Sequence, residues 1–135
     1  LSNENGYQSN FIHYGFEELI SEVQKGATQL IQNSQINSFW LNINNGFSKN
    51  STHLHFDNSS KYTFYFTCVY YHQVCCEQSP IVFKSLIPSI FTYKHEYIPK
   101  NQDMIYFWGF IPHSVKPCLQ TNHERISLAF NISKI

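Results

Sequence analysis

A chain of 135 residues is long enough for one domain and too short for two ordinary ones. It is 42% hydrophobic and 17% aromatic, with 12 Phe and 9 Tyr, which supplies a core and argues against intrinsic disorder. Formal net charge is zero, no basic stripe points to nucleic acid, and no apolar run approaches the roughly 20 residues that span a bilayer.

In chain order, residues 1–12 are polar and rich in Asn and Ser, and read as an irregular lead-in. Residues 15–33 read as one amphipathic helix. Phe16, Leu19, Ile20, Val23, Ala27, Leu30 and Ile31 recur at helical spacing, with Glu17, Glu18 and Glu22 near the N-terminal end, where the dipole favours them. After Asn33 the period changes to two. Residues 38–44 alternate as a strand with Phe39, Leu41 and Ile43 on one face, and N-N-G at 44–46 signals a turn. Further strands are expected at 51–56, 61–71, 80–84, 89–93, 103–108, 113–117 and 125–132, separated by Pro, Gly, Asn and Ser. The whole reads as a single domain: lead-in, helix, and a mainly β core over 38–132 shaped as a sandwich or barrel buttressed by the helix. The chain begins at Leu1 rather than Met, so its natural start is expected further upstream, and the lack of a targeting segment carries little weight.

The chemistry-bearing stretch is H-L-H-F-D-N at 53–58. Only two Asp occur in the chain, Asp57 and Asp103, and one of them stands two residues after a histidine. In an extended segment His53, His55 and Asp57 project to one face. Two imidazoles and a carboxylate on one side of a metal ion leave the opposite positions open, which is the ligand arrangement of non-haem Fe(II) oxygenases. The remaining ligand must come from a distant strand, and His113, in F-I-P-H-S-V, is the candidate. Twelve residues on, Arg125 and Ser127 stand at i and i+2 in E-R-I-S. Arg125 is the single arginine beside eight lysines, which marks a site where a planar two-pronged donor is needed, namely recognition of a carboxylate.

The order H-x-D, distant H, then R-x-S resembles the 2-oxoglutarate- and Fe(II)-dependent oxygenases. W-L-N-I-N-N-G-F-S-K-N-S-T-H-L-H, V-Y-Y, S-P-I-V-F, F-I-P-H-S-V-K-P and E-R-I-S-L-A-F-N-I resemble the small oxygenases of this superfamily in marine bacteria and their phages, over about residues 14–132. The resemblance implies a double-stranded β-helix (jelly-roll) fold, with Fe(II), 2-oxoglutarate and O₂ as cofactors and co-substrate. It implies oxidative decarboxylation of 2-oxoglutarate coupled to oxidation of a prime substrate that it does not identify. It places the superfamily's H-x-D on His55 and Asp57 with His113 as third ligand, and 2-oxoglutarate on Arg125 assisted by Ser127. The small subgroup's N-x-x-H-x-H falls instead on Asn50, His53 and His55, which makes His53 the alternative ligand. Otherwise His53 is a neighbouring donor or a plain strand residue.

His13, His72, His95 and His123 carry no motif and read as ordinary histidines; one of Tyr70 and Tyr71 must point inward. Cys68, Cys75, Cys76 and Cys118 lack the spacing of a chelating or disulfide framework and read as free thiols, a bridged pair being the alternative. Reduced thiols and the family resemblance together point to a bacterial or phage-infected cytoplasm, with no membrane partner and no nucleic-acid partner indicated. A reading from another class remains open: a non-catalytic jelly-roll module, binding or structural, as in a phage particle. A cupin-like metal enzyme without 2-oxoglutarate is a third. The buried arginine that a carboxylate receptor requires separates the first reading from both.

Overall fold

The computed structural model describes residues 3–12, 14–46, 48–55, 64–74, 79–85, 94–118 and 124–135, without the side chains of 64 and 65. Among these residues the elements are β1 (Asn3–Glu4), β2 (Tyr7–Gln8), α1 (Glu17–Leu30), β3 (Ser34–Asn45), β4 (Lys49–His53) and β5 (Phe64–Gln73), then β6 (Ile81–Lys84), β7 (Lys94–Tyr97), β8 (Met104–Trp108), β9 (His113–Val115) and β10 (Glu124–Lys134). Two antiparallel five-stranded sheets result. One runs β1-β4-β9-β6-β7 and the other β2-β3-β10-β5-β8. The architecture is mainly β, a double-stranded β-helix with one helix outside it, as the sequence and its resemblance imply.

Period-two patterning explains how β10 holds the molecule together. It lies between β3 and β5, with Leu128 opposite Leu41 on one side and Tyr70 on the other. Leu128, Phe130 and Ile132 face the helix and join Val23, Ala27, Phe39, Phe66 and Cys68 in the apolar core. Phe39 and Phe130 stack with ring centroids 5.2 Å apart. The alternate residues of β10 face the opposite sheet, and there the buried side chains are mostly polar: Arg125, Ser127 and Asn131. The main apolar cluster therefore lies between helix and sheet, while the space between the two sheets gathers the buried polar groups among apolar walls such as Trp40, Val69 and Ile81.

Several boundaries differ from the sequence reading. The lead-in is not wholly irregular: β1 pairs with β4 and β2 with β3, so this short segment stitches one sheet to the other. Too short to show a period, such strands are invisible to pattern reading. The helix starts at Glu17, because Gly15 (φ 81°) and Phe16 (φ 64°) are both left-handed. Strand β4 ends at His53, so the expected 51–56 strand is shorter and earlier. The expected 89–93 strand lies outside the described residues. Next in the chain comes β7, K-H-E-Y, whose mostly exposed edge position requires no apolar alternation.

Helix α1 is seated by polar contacts as well as by apolar ones. Gln24 donates to Ser34 O at 2.7 Å and accepts from Ile36 N at 3.2 Å. Tyr106 reaches from β8 to donate to Val23 O at 3.0 Å, passing directly over Gly26. A Cβ at Gly26 would stand 2.2 Å from the Tyr106 hydroxyl oxygen and 2.7 Å from the ring carbon bearing it. Gly26→Ala ordinarily favours a helix by about 1 kcal/mol. Here overpacking reverses the sign, and urea denaturation should show a net loss of about 1–3 kcal/mol. Tyr106→Phe in the same background should recover part of that loss; full stability in the single variant would refute the packing argument.

Candidate functional site

The site is built where β4 and β9 run side by side. Asn50 pairs with Val115, yet His53 pairs with His113, so three steps along β4 match two along β9. This bulge inserts one residue. Without it Thr52 would stand opposite His113, and His53 would fall on the face opposite Asn50. With it, Asn50, His53, His55 and His113 all line one cavity between the sheets. His55 follows the end of β4 and is tethered by its N–H to Gly109 O at 3.0 Å, in the turn that leads to His113.

The ligand-capable atoms of His53, His55 and His113 lie within 4.8 Å of one another. Backbone carbonyls set two of the tautomers. His53 Nδ1 is 2.7 Å from Ser51 O, and His113 Nδ1 is 2.9 Å from Ile111 O. A carbonyl only accepts, so each Nδ1 carries the proton and each Nε2 presents a lone pair. His55 Nε2 is 3.2 Å from His113 Nε2, and the two rings are nearly parallel, at 4°. Metal–nitrogen bonds of about 2.0–2.1 Å at octahedral or tetrahedral angles place neighbouring nitrogens about 3.0–3.4 Å apart. The His55–His113 pair already meets that spacing, and the donor set fits a transition-metal ion; His53 has to close in somewhat to join them.

Burial keeps these imidazoles neutral. His55 is pushed down to about 3, chiefly by desolvation and then by His113 and His53, with the Asn131 amide opposing. His113 is pushed down to about 4 by desolvation and by His53, against the Ile111 carbonyl. His53 is lowered for the same leading reason. Trp40 stacks on His55 at 5.6 Å and Phe107 sits edge-on to His113 at 4.7 Å, which supplies the dry walls.

Asp57 lies outside the described residues, and so do His13 and His123. His72 and His95 are exposed and stand apart from the cluster. Arg125 is 3% exposed and lines the same cavity as the histidines, with Ser127 and Tyr71. Its Nη1 donates to Ser79 Oγ at 2.6 Å and to Ser79 O at 3.3 Å. Tyr71 is the inward member of the Tyr70–Tyr71 pair; burial raises its phenol and Arg125 pulls the other way. Asn42 also lines this cavity, which encloses about 40 Å³. Sequence reasoning passed over Ser79, Trp40 and Asn42. Trp40 and Asn42 carried a signal, since they alternate with Phe39 and Leu41 and so had to face the other side of β3. Cys68 and Cys118 are both buried, Cys68 within the apolar core beneath the helix.

A second, open groove of about 570 Å³ meets the cavity at Trp40, His53 and His55. Its walls are Gln8–Phe11 of the lead-in, Ser51–His55 and Asn131, with Phe11 against Trp40 at 5.9 Å. Among the described residues, no acidic side chain, Lys or Arg lines it.

No family model matches this chain, and no curated protein matches its sequence. Solved structures do share its fold. The chain is similar to the viral collagen prolyl hydroxylase of Paramecium bursaria Chlorella virus-1 in its 2OG complex, with TM-score 0.69 and 17% identity, over 99% of this chain and 81% of that one. It is similar to a Pseudomonas putida prolyl-4-hydroxylase, with TM-score 0.68 and 14% identity, over 96% of this chain and 73% of that one. A third likeness is to an oxidoreductase of the 2OG-Fe(II) oxygenase family from Burkholderia pseudomallei, with TM-score 0.66 and 16% identity, over 90% of this chain and 59% of that one. At these identities the likeness establishes that this chain has the fold of those oxygenases.

The buried neutral histidines make stability depend on pH. An unfolded histidine titrates near 6.5, well above the folded values of His55 and His113. Below about pH 6.5 the unfolded chain takes up protons that the folded chain refuses. The stabilisation is therefore present above pH 6.5 and lost as pH falls toward 4, by up to about 1.4 kcal/mol per pH unit for each histidine. Urea midpoints of chelator-treated protein should drop between pH 7.5 and 5.0, and His113→Gln should flatten the drop; equal midpoints would overturn this account.

Proposed function

We propose that the chain is an Fe(II)- and 2-oxoglutarate-dependent oxygenase of the hydroxylase type, formed by one domain spanning the whole sequence. The observation that carries the reading is the meeting of histidine Nε2 lone pairs and a buried arginine around one cavity. A non-catalytic module does not require an arginine buried on the face that holds a metal, whereas a carboxylate co-substrate calls for one there. The shared fold with 2-oxoglutarate/Fe(II) oxygenases supports the same conclusion.

His55 and His113 hold the metal; His53 is the third ligand-capable group among the described residues, and the expected Asp57 lies outside them. Bound together, Fe(II) and 2-oxoglutarate supply the chemistry, coupling oxidative decarboxylation to substrate oxidation by O₂. The chain's own residues do the rest. Ser51 O and Ile111 O keep the protons of His53 and His113 on Nδ1. Arg125 receives the carboxylate far from the metal, with Ser127 and Tyr71 beside it. Trp40 and Phe107 limit water around the histidines.

The prime substrate enters by the groove that Phe11 and Trp40 flank. Its lining favours an uncharged segment with a compact apolar ring. Two neighbours of this fold are prolyl hydroxylases, so a neutral proline-containing peptide is the first substrate to try.

Anaerobic titration with Fe(II) and 2-oxoglutarate should develop the weak visible charge-transfer band of the chelate. Charge-assisted hydrogen bonds contribute roughly 1.5–3 kcal/mol. Arg125→Ala should therefore weaken 2-oxoglutarate binding by at least about tenfold and leave metal binding in place. Metal competition with His53→Ala and Asp57→Asn decides the third ligand: loss only with His53→Ala assigns it to His53, and loss only with Asp57→Asn returns it to Asp57. Neither band nor metal uptake in the wild type would leave the binding-module reading standing.

A further inference from the structure

Arg125 is most useful as a carboxylate receptor when its guanidinium plane is fixed before the ligand arrives, because a long arginine side chain otherwise loses rotamer freedom on binding. Ser79 stands where it can do this. It is 3% exposed and comes from the segment leading into β6, on the sheet facing Arg125. Its hydroxyl accepts from Arg125 Nη1 at 2.6 Å and donates to Lys116 O at 2.6 Å, just beyond β9. Both directions of the hydroxyl are therefore in use, so it cannot rotate away without losing a bond. Lys116 N in turn donates to Pro80 O at 3.2 Å, which ties the Ser79–Pro80 segment to the strand that carries His113. The serine thus connects the arginine of one sheet to the histidine-bearing strand of the other.

We propose that Ser79 is the positioning residue of the 2-oxoglutarate site, locking Arg125 Nη1 so that the guanidinium meets the distal carboxylate in a preset orientation. The inference rests on the oxygenase reading of Arg125. It assigns Ser79 no contact with the reacting atoms.

Arg125 is the only arginine in these 135 residues, so its Nε–H group gives a single unambiguous NMR signal in this chain. Ser79→Thr keeps the hydroxyl, and Ser79→Val keeps the same shape without it. In Ser79→Val the Nε–H signal should shift and broaden. Anaerobic titration should show 2-oxoglutarate bound about five- to tenfold more weakly, with Fe(II) affinity unchanged. Ser79→Thr should restore both. Equal arginine signals and equal 2-oxoglutarate affinities in the Thr and Val variants would overturn the proposal, and so would a parallel loss of Fe(II) binding, which would mark a general structural role. A wild type that takes up no 2-oxoglutarate would instead sink the oxygenase reading, while the arginine signal still reports whether Ser79 holds the guanidinium.

Discussion

Everything in this molecule depends on one strand having two faces that do different work. Strand β10 is buried on both sides. Its even-numbered residues Leu128, Phe130 and Ile132 belong to the apolar core beneath α1, and its odd-numbered residues Arg125, Ser127 and Asn131 look into the space between the sheets. A one-residue slip would turn the guanidinium onto the face that carries the apolar core and a phenylalanine into the cavity. The penalty for burying an unmet charge makes that slip prohibitive. Fold and site are thus specified by the same alternation, and the register of β10 against β3 and β5 is held by the cost of getting either face wrong.

The second constraint is the bulge in β4. A regular strand can place every second residue in the cavity, and Asn50 and His53 are three apart. The extra residue reconciles them, and it does so beside the histidines, where a local twist re-aims side chains. Backbone carbonyls then do for two of the imidazoles what a carboxylate does in many metal centres, holding the proton on the outer nitrogen. Desolvation completes the preparation by keeping the rings neutral, so that a cation competes with few protons.

Most of this was legible in the sequence because it follows from period and chemistry. The faces of β3 followed from Phe39, Leu41 and Ile43; that His55, His113 and Arg125 meet at one cavity followed from residue type and spacing together with the family resemblance. What escaped has physical causes. The bulge leaves no mark on a two-residue period, so the competition between His53 and Asp57 could not be settled by alternation alone. The strands of the lead-in are two residues long, and β7 is an exposed edge, where no apolar pattern is required. Ser79 was hidden because a serine before proline is common, and its value comes only from an arginine 46 positions away.

The charge of the site connects these parts. The three clustered histidines are neutral, so a divalent ion held by them and the Arg125 guanidinium are like charges lining one cavity, walled by Trp40, Phe107 and Ile81. Like charges in such surroundings disfavour one another strongly. A dicarboxylate that touches both cations makes each better tolerated when it is present. On the proposed oxygenase reading with this ligand set, metal and 2-oxoglutarate would reinforce each other's binding. A carboxylate in the third position would relieve part of the repulsion beforehand and weaken that coupling. The identity of the third ligand therefore decides more than affinity: it decides how strictly the metal waits for its co-substrate.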